Sequence, residues 1–397
     1  MDRSFALSLA GLTALNVLLA WAFLLRGRAP VGVRRVLEVV LLVLLANALE
    51  MLLLSRWRLH IFGVMHIAWL DLWLVAPLAG AALALTRWRG RDVTWPALAL
   101  ALAALPGLPL GLYAQLVVPY DVRLERTDVP VDAARSGRDE LLIAVLADIQ
   151  STTIEPHQLD AVAELMAAEP DIVLIPGDLY QGPVDQFEQN LPGFTRLLSM
   201  LHAPGGVWAV PGNADVPSLL PRTLAGTDIR LLRDELVTVS VGDRQVTILG
   251  LDEIPHEQFQ VLRQPPAILH RFLAAPGDEL RILMAHRPLI VSALGDDSRC
   301  DLVVAGHTHG GQVALPFIGP PITLSPLPRH VAAGGLHELA GNLLYVSRGL
   351  GMERLQAPRI RFGVPPEVTL LTLRTARPRL PDPQATLGPL PLSEPLH

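Results

Sequence analysis

The chain has 397 residues, 51% of them hydrophobic and only 18% charged, with a formal charge of −6. That length allows more than one domain, and the composition excludes a purely soluble protein. Residues 1–118 hold ten arginines and five carboxylates, while the remainder holds 22 and 33, so the larger part is acidic and nucleic acid is excluded as its partner. There is no lysine, and Cys300 is the single cysteine, which excludes an internal disulfide.

Taken in chain order, four apolar stretches come first, at 4–25, 36–54, 61–85 and 96–118. Each approaches or exceeds the roughly 20 residues that a spanning helix needs. The first has a long apolar core and no small-residue cleavage site before Arg26, so it reads as an anchor rather than a removable signal. Arg26, Arg28, Arg34 and Arg35 follow the first stretch, and Arg87, Arg89 and Arg91 follow the third. Only Arg56, Arg58 and Arg3 lie on the other side. Arginine marks the cytoplasmic face, so the sequence predicts a multi-pass cell (inner) membrane protein whose later residues lie on the periplasmic or extracellular face. Trp57, Trp88 and Trp95 fall at span ends, where indole favours the interface. Asn47, Glu50, His66 and Asp71 fall inside the spans. Buried polar groups there either fix helix to helix by hydrogen bonds or mark a functional site.

Residues 119–140 read as a polar linker. Short apolar runs then recur at 141–146, 172–175, 207–210, 282–285 and 302–305. Runs of this kind bounded by Gly or Pro read as buried strands. Residues 156–169 and 186–202 read as helices between them, the first with Leu159, Val162, Leu165 and Met166 on one face. Strand, helix, strand implies an α/β layered sheet, whose ligands gather at the carboxyl ends of strands. Each of the five runs is followed by an Asp, Asn or His: Asp148, Asp178, Asn213, His286, and His307 with His309. Imidazole, carboxylate and amide oxygen together suit divalent Mn, Fe, Zn or Co. The tail from 374 onward is Pro-rich and reads as disordered.

The series Asp148-Ile149-Gln150, Gly177-Asp178, Gly212-Asn213, His286 and Gly306-His307-Thr308-His309-Gly310-Gly311-Gln312 resembles the calcineurin-like metallophosphoesterase family, in particular its bacterial membrane-associated branch. Later text fits as well, at 344–351 and 365–370, so the resemblance covers about residues 141–373. It implies a layered β-sandwich flanked by helices, here preceded by an all-α four-helix transmembrane region. It also implies two divalent ions. Asp148, Gln150 and His309 match ligands of the first, Asn213, His286 and His307 those of the second, and Asp178 the bridging carboxylate.

Two departures stand out. The family usually has histidine at the position of Gln150, and an amide oxygen binds such ions less well, so the two ions should differ in affinity. The family's general acid is a histidine where this chain has Ala214; Asp215 is the nearest substitute. General acid catalysis contributes typically about 10²–10⁴-fold. Gln181 replaces the second acid of the usual GDxxD and reads as structural. Arg348 and, less so, Arg329 are candidate phosphate ligands. His157, His256 and His337 read as surface residues, and His330 as a residue near the pocket without a role in it.

Two functions follow. One is a membrane-anchored hydrolase acting by a two-metal mechanism on a phosphodiester or diphosphate, which the bilayer anchor would favour in lipid-linked form. The other is a non-catalytic metal-binding module that kept the fold and lost its acid at Ala214 and a strong ligand at Gln150.

Overall fold

The computed structural model describes residues 3–25, 30–55, 59–132, 135, 137, 139–253, 267–296, 298–323 and 325–375. Arg26, Arg28, Arg56, Trp57, Arg58, His256 and the tail beyond 375 lie outside the described residues. The chain begins with α1 (Arg3–Leu25) and α2 (Val33–Leu54). α3 (Ile61–Leu70) runs through a π-helical turn at Asp71–Val75 into α4 (Ala76–Trp88). The fourth apolar stretch is broken into α5 (Trp95–Ala104) and α6 (Gly107–Leu116), because Pro106 cannot continue the hydrogen-bond ladder of α5. Among the described residues, four helical stretches are long and apolar enough to cross a membrane: Phe5–Leu24, Val33–Leu54, Ile61–Trp88 and Trp95–Tyr120. Their outward surface is leucine-rich, with Leu7, Leu37, Leu52, Leu72 and Leu116 all exposed. Inside the bundle, Asn16 Nδ2 donates to Asn47 Oδ1 (2.7 Å) and Asn47 Nδ2 donates to Asp71 Oδ2. These are helix-to-helix bonds. Glu50 is buried nearby with neither oxygen paired among the described residues.

The rest of the chain gives β1 (Arg123–Val131), β2 (Leu141–Val145), α7 (Pro156–Met166), β3 (Ile172–Ile175), α8 (Phe187–Leu198), β4 (Val207–Ala209), α9 (Leu220–Leu224), β5 (Ile229–Leu231), β6 (Glu235–Val241) and β7 (Arg244–Gly250). It continues with α10 (Ala267–Ala274), β8 (Leu280–Met284), β9 (Leu302–Ala305), α11 (Arg329–Ala332), β10 (Gly335–Leu339), β11 (Asn342–Val346) and β12 (Glu367–Thr375). Two six-stranded mixed sheets form, ordered β1-β12-β2-β3-β4-β5 and β10-β11-β9-β8-β7-β6. Successive side chains leave a strand on opposite faces. Ile143, Val145, Ile172 and Leu174 therefore meet Ile248, Ile282, Met284 and Val304 of the other sheet in a shared core. Ala144, Val173 and Ile175 turn the other way, onto Val162, Leu165, Phe194 and Leu197 of α7 and α8. Leu283 and Val303 pack with Leu269 and Phe272 of α10. Burial on both faces is why these strands read as unbroken apolar runs. Each such side chain contributes on the order of 1.5–3 kcal/mol of burial. The layers are helix, sheet, sheet, helix, as expected.

One expectation needs correction. The segment 119–140 is not simply a linker, because β1 lies within it and pairs in parallel along its whole length with β12. Its Arg, Glu, Thr and Asp side chains lie on the more open positions of an edge strand, while Val129 and Val131 enter the core.

Candidate metal centre

β2, β3 and β4 run parallel in one sheet, and β8 and β9 in the other. All five end at the same rim of the sandwich. The chain leaves each through a tight turn, and the backbone there is unusual. Asp148 (φ 46°), Gln150 (32°), Asp178 (60°), His307 (73°) and His309 (49°) all occupy the left-handed region. That region is uncommon outside glycine, and such residues cluster at sites where the surrounding structure holds them for a purpose. Two glycines are required by close approach. A Cβ on Gly212 would meet Asp178 Oδ1 at 2.1 Å, and one on Gly306 would meet Asp148 Oδ2 at 2.2 Å.

The ligand atoms of Asp148, Asp178 and His286 all lie within 4.8 Å of one another, and all three residues are buried. The His307 backbone N–H donates to both oxygens of Asp148 (3.0 and 3.1 Å). Ala214 N–H donates to Asp178 Oδ1 (2.7 Å). His286 Nδ1 donates to the Pro176 carbonyl (2.7 Å), which aims Nε2 at Asn213 Oδ1 (3.0 Å) and Asp178 Oδ2 (3.4 Å). This is the arrangement in which a histidine's far nitrogen is fixed for coordination. The His307 ring stands edge-on to that of His286 at 5.0 Å, and His309 Nε2 lies 3.9 Å from Asp148 Oδ1.

Two buried atoms here have no hydrogen-bond partner among the described residues, His309 Nε2 and Gln150 Oε1. Orphaned buried polar atoms are rare and costly, and both are metal-ligand atoms. The residues present therefore fit a divalent metal. Burial, with Arg361 beside it, holds the His309 imidazole down to about 3, so it is neutral as a ligand must be. Burial pushes Asp148 up to about 8 against the pull of His286. Burial alone would lower His286, but Asp178 and Asp148 outweigh it and raise it to about 10. Asp178 moves the other way, because His286 outweighs its own burial. A crowded set of groups that shift one another is a frequent mark of a functional site.

Two expected roles are not what the geometry gives. Asp215 is no free acid: Oδ2 accepts from the Asp178 and Gly212 N–H groups (both 2.9 Å) and Oδ1 from the Leu179 N–H (2.8 Å). Its carboxylate pins the two metal-ligand turns together. Arg348, expected as a substrate ligand, is engaged by carboxylates: its guanidinium donates to Glu367 through Nε and to Glu125 through Nη2. Arg329 is exposed at the start of α11, His330 stacks edge-on with His337, and His157 is half-buried against Tyr120.

Sequence reasoning missed Glu353. Its Oε2 accepts from Gln150 Nε2 (3.1 Å) and its Oε1 from Gln181 Nε2 (2.7 Å), so it fixes the Gln150 amide with the oxygen left free. Gln181 is thereby structural, and its own Oε1 accepts from the Arg354 N–H. The signal was an acid two residues beyond the Gly349-Leu350-Gly351 turn. Arg287 was missed as well: it pairs with Glu253, and Nη1 lies 3.4 Å from His307 Nε2. Arg361 comes equally near on the buried side, with Nη2 3.4 Å from His309 Nδ1.

The profile of the family described as calcineurin-like phosphoesterase matches residues 141–311. That stretch contains every ligand position above, so the part of the chain that carries the site is similar to a calcineurin-like phosphoesterase domain. Among relatives, the chain is 28% identical over 272 residues to an uncharacterized metallophosphoesterase, YkuE, of Bacillus subtilis, covering 66% of this chain and 89% of that one. It is 29% identical over 239 residues to the phosphodiesterase YaeI of Escherichia coli, covering 58% and 81%. A dimetal phosphatase from Danio rerio overlays 53% of this chain and 88% of its own at 14% identity and a TM-score of 0.30.

Proposed function

We propose that the protein is a membrane-anchored, metal-dependent phosphoesterase that hydrolyses phosphodiesters or diphosphates. The observation that carries this is the convergence of Asp148, Asp178 and His286 beside the orphaned Gln150 Oε1 and His309 Nε2. These five residues, with Asn213 and His307, would hold two divalent ions. When bound, such ions supply Lewis-acid polarisation of a phosphoryl group and neutralise the charge that develops on it.

The chain's own groups do the rest. The Pro176 carbonyl fixes the His286 ring, the His307 N–H fixes Asp148, and Glu353 fixes Gln150. Arg287 stands where a phosphate oxygen entering the rim would meet a guanidinium. Among the described residues, the two positions expected to supply a proton do not do so: position 214 is alanine, and Asp215 is taken by three backbone N–H groups. Leaving groups that depart without protonation are therefore favoured, as in activated diesters and diphosphates.

The anchor would be the four apolar helices, with the seven-to-three arginine bias placing the phosphoesterase domain on the outer face. A reporter active only outside the cytoplasm, fused after Leu373, should be on; a silent fusion, with a cytoplasmic reporter working instead, reverses the orientation. The catalytic reading is tested by loading the full chain with Mn²⁺ and comparing bis(p-nitrophenyl) phosphate with an alkyl monoester. Turnover of the diester alone, or far faster, is expected. The missing proton donor also favours a second reading, a metal-binding module without catalysis. Full metal loading with no turnover of either substrate would select it.

A further inference from the structure

One strap, residues 353–362, joins the metal centre to the helix bundle. Glu353 holds Gln150 and Gln181 at the centre. Three residues on, the Gln356 carbonyl accepts from His66 Nδ1 (3.1 Å) and Gln356 Oε1 accepts from the His60 N–H (3.2 Å). Arg361 N–H donates to the Ala114 carbonyl of α6 (3.0 Å). The next residue, Phe362, bonds to the chain leaving the metal motif: its N–H donates to Gln312 O (2.9 Å), and Ala314 N–H donates to Phe362 O (2.7 Å). The segment after Ala314 therefore sets out from beside the end of a membrane-type helix.

That segment reads Leu315-Pro316-Phe317-Ile318-Gly319-Pro320-Pro321-Ile322 and has no charged residue. Its turn is closed by Leu315 N–H to Gly319 O (3.0 Å) and Gly319 N–H to Leu315 O (2.9 Å). Phe317, at the tip, is completely exposed; Ile318 is 66% exposed, and Ile322 and Leu315 are 45% and 40%. Phe317 also has φ 65°, a strained backbone for an aromatic residue. Facing water, these side chains lose their burial energy, and such contiguous apolar surface marks an interaction site. The base of the loop packs close to Gly311, two residues after His309: a Cβ there would meet the Ile322 carbonyl at 2.5 Å and Pro320 at 2.8 Å, while Phe317 and Ile318 point away at the tip.

We infer that the 315–322 loop inserts into the membrane leaflet on the side of the phosphoesterase domain, and that the metal centre takes its phosphoester from an amphiphile resident in that leaflet. The second half rests on the phosphoesterase reading; the first does not. The bilayer is the occupant because the loop is continuous, through Phe362 and Arg361, with helices long and apolar enough to lie in it. An uncharged aromatic and aliphatic tip held between proline and glycine turns suits a lipid surface, where it meets no demand for paired charges.

The test uses the full chain with Cys300→Ala in mixed phosphatidylcholine–phosphatidylglycerol vesicles. A nitroxide label is placed through Phe317→Cys or, as control, through Val184→Cys, whose side chain is exposed elsewhere on the domain. At 317 the label should be relaxed by oxygen and shielded from a water-soluble nickel chelate; at 184 it should be open to the chelate. Equal chelate access at the two positions overturns insertion. Shielding from both relaxants would mark a protein contact and overturns it too. For the substrate, Phe317→Ser with Ile318→Ser should leave hydrolysis of dissolved bis(p-nitrophenyl) phosphate unchanged. Hydrolysis of a p-nitrophenyl phosphodiester carrying diacylglycerol, presented in vesicles, should fall on the order of tenfold, the effect of losing a buried apolar side chain. Unchanged rates on the vesicle substrate overturn the amphiphile claim. A parent protein inert toward both substrates ends the phosphoesterase reading and the amphiphile claim with it, while the relaxation data still decide insertion.

Discussion

Glu353→Ala should weaken metal binding without touching a ligand. The carboxylate accepts from Gln150 Nε2 and Gln181 Nε2, and burial holds it above the usual carboxylate range. Hydrogen bonds to a charged group are worth about 1.5–3 kcal/mol each, and both are lost together. Part of that loss is stability, because Gln181 is also freed. The part that concerns the site is the Gln150 amide, which can then rotate and present its N–H₂ where Oε1 now lies. Outer partners of this kind typically cost roughly 10–100-fold in metal affinity when removed. That corresponds to about 1.4–2.7 kcal/mol. Calorimetric titration of the full-length, metal-free protein with Mn²⁺ reads the affinity directly. Thermal unfolding of the same preparations, also metal-free, reads stability separately. The variant should lose affinity at one of two ions and keep the other. If both affinities are unchanged while the melting temperature falls, Glu353 only braces the fold and the account of Gln150 is wrong.

Ala214→His should raise activity toward alkyl esters by up to roughly 10²–10⁴-fold while leaving activated diesters nearly unaffected, read as kcat/KM on paired substrates. Metal affinity should rise with pH between about 6 and 8, because Asp148, raised to about 8, and His286, raised to about 10, must each shed a proton to ligate. The stability signs agree. The raised Asp148 makes the metal-free fold less stable as pH climbs from the ordinary 3.8 toward 8. His286 adds stability below 6.5 that is lost on approach to 10. Titration in buffers of different ionisation enthalpy should show proton release on binding; none would contradict the assignment. Cys300 is buried and its thiol is pushed up to about 12, so a thiol reagent should leave the native protein unlabelled and react once it is unfolded.

Much of this was legible in the sequence because the strands carrying the ligands are short, buried on both faces and followed at once by polar residues. Asp148, Asp178, Asn213, His286, His307 and His309 each sit two to four residues beyond a strand end, so strand pattern and ligand chemistry reinforced each other. β1 was not legible. Its charged edge positions break the apolar run, and its partner β12 lies more than 230 residues away. Arg348 and Asp215 misled for a related reason. A sequence gives a side chain's chemistry but not whether Glu367, Glu125 or three backbone N–H groups have already claimed it. Glu353 escaped because its importance lies in what it orients rather than in any motif.

The most direct measurement is hydrolysis of bis(p-nitrophenyl) phosphate by the metal-loaded full chain beside its Asp178→Asn variant, with bound metal determined on both. The account predicts turnover by the parent with up to two divalent ions bound. It predicts loss of both turnover and metal in the variant, because the Asp178 carboxylate it removes lies within 4.8 Å of the ligand atoms of Asp148 and His286. Equal rates in the two proteins under saturating Mn²⁺ would place the activity elsewhere and contradict the account.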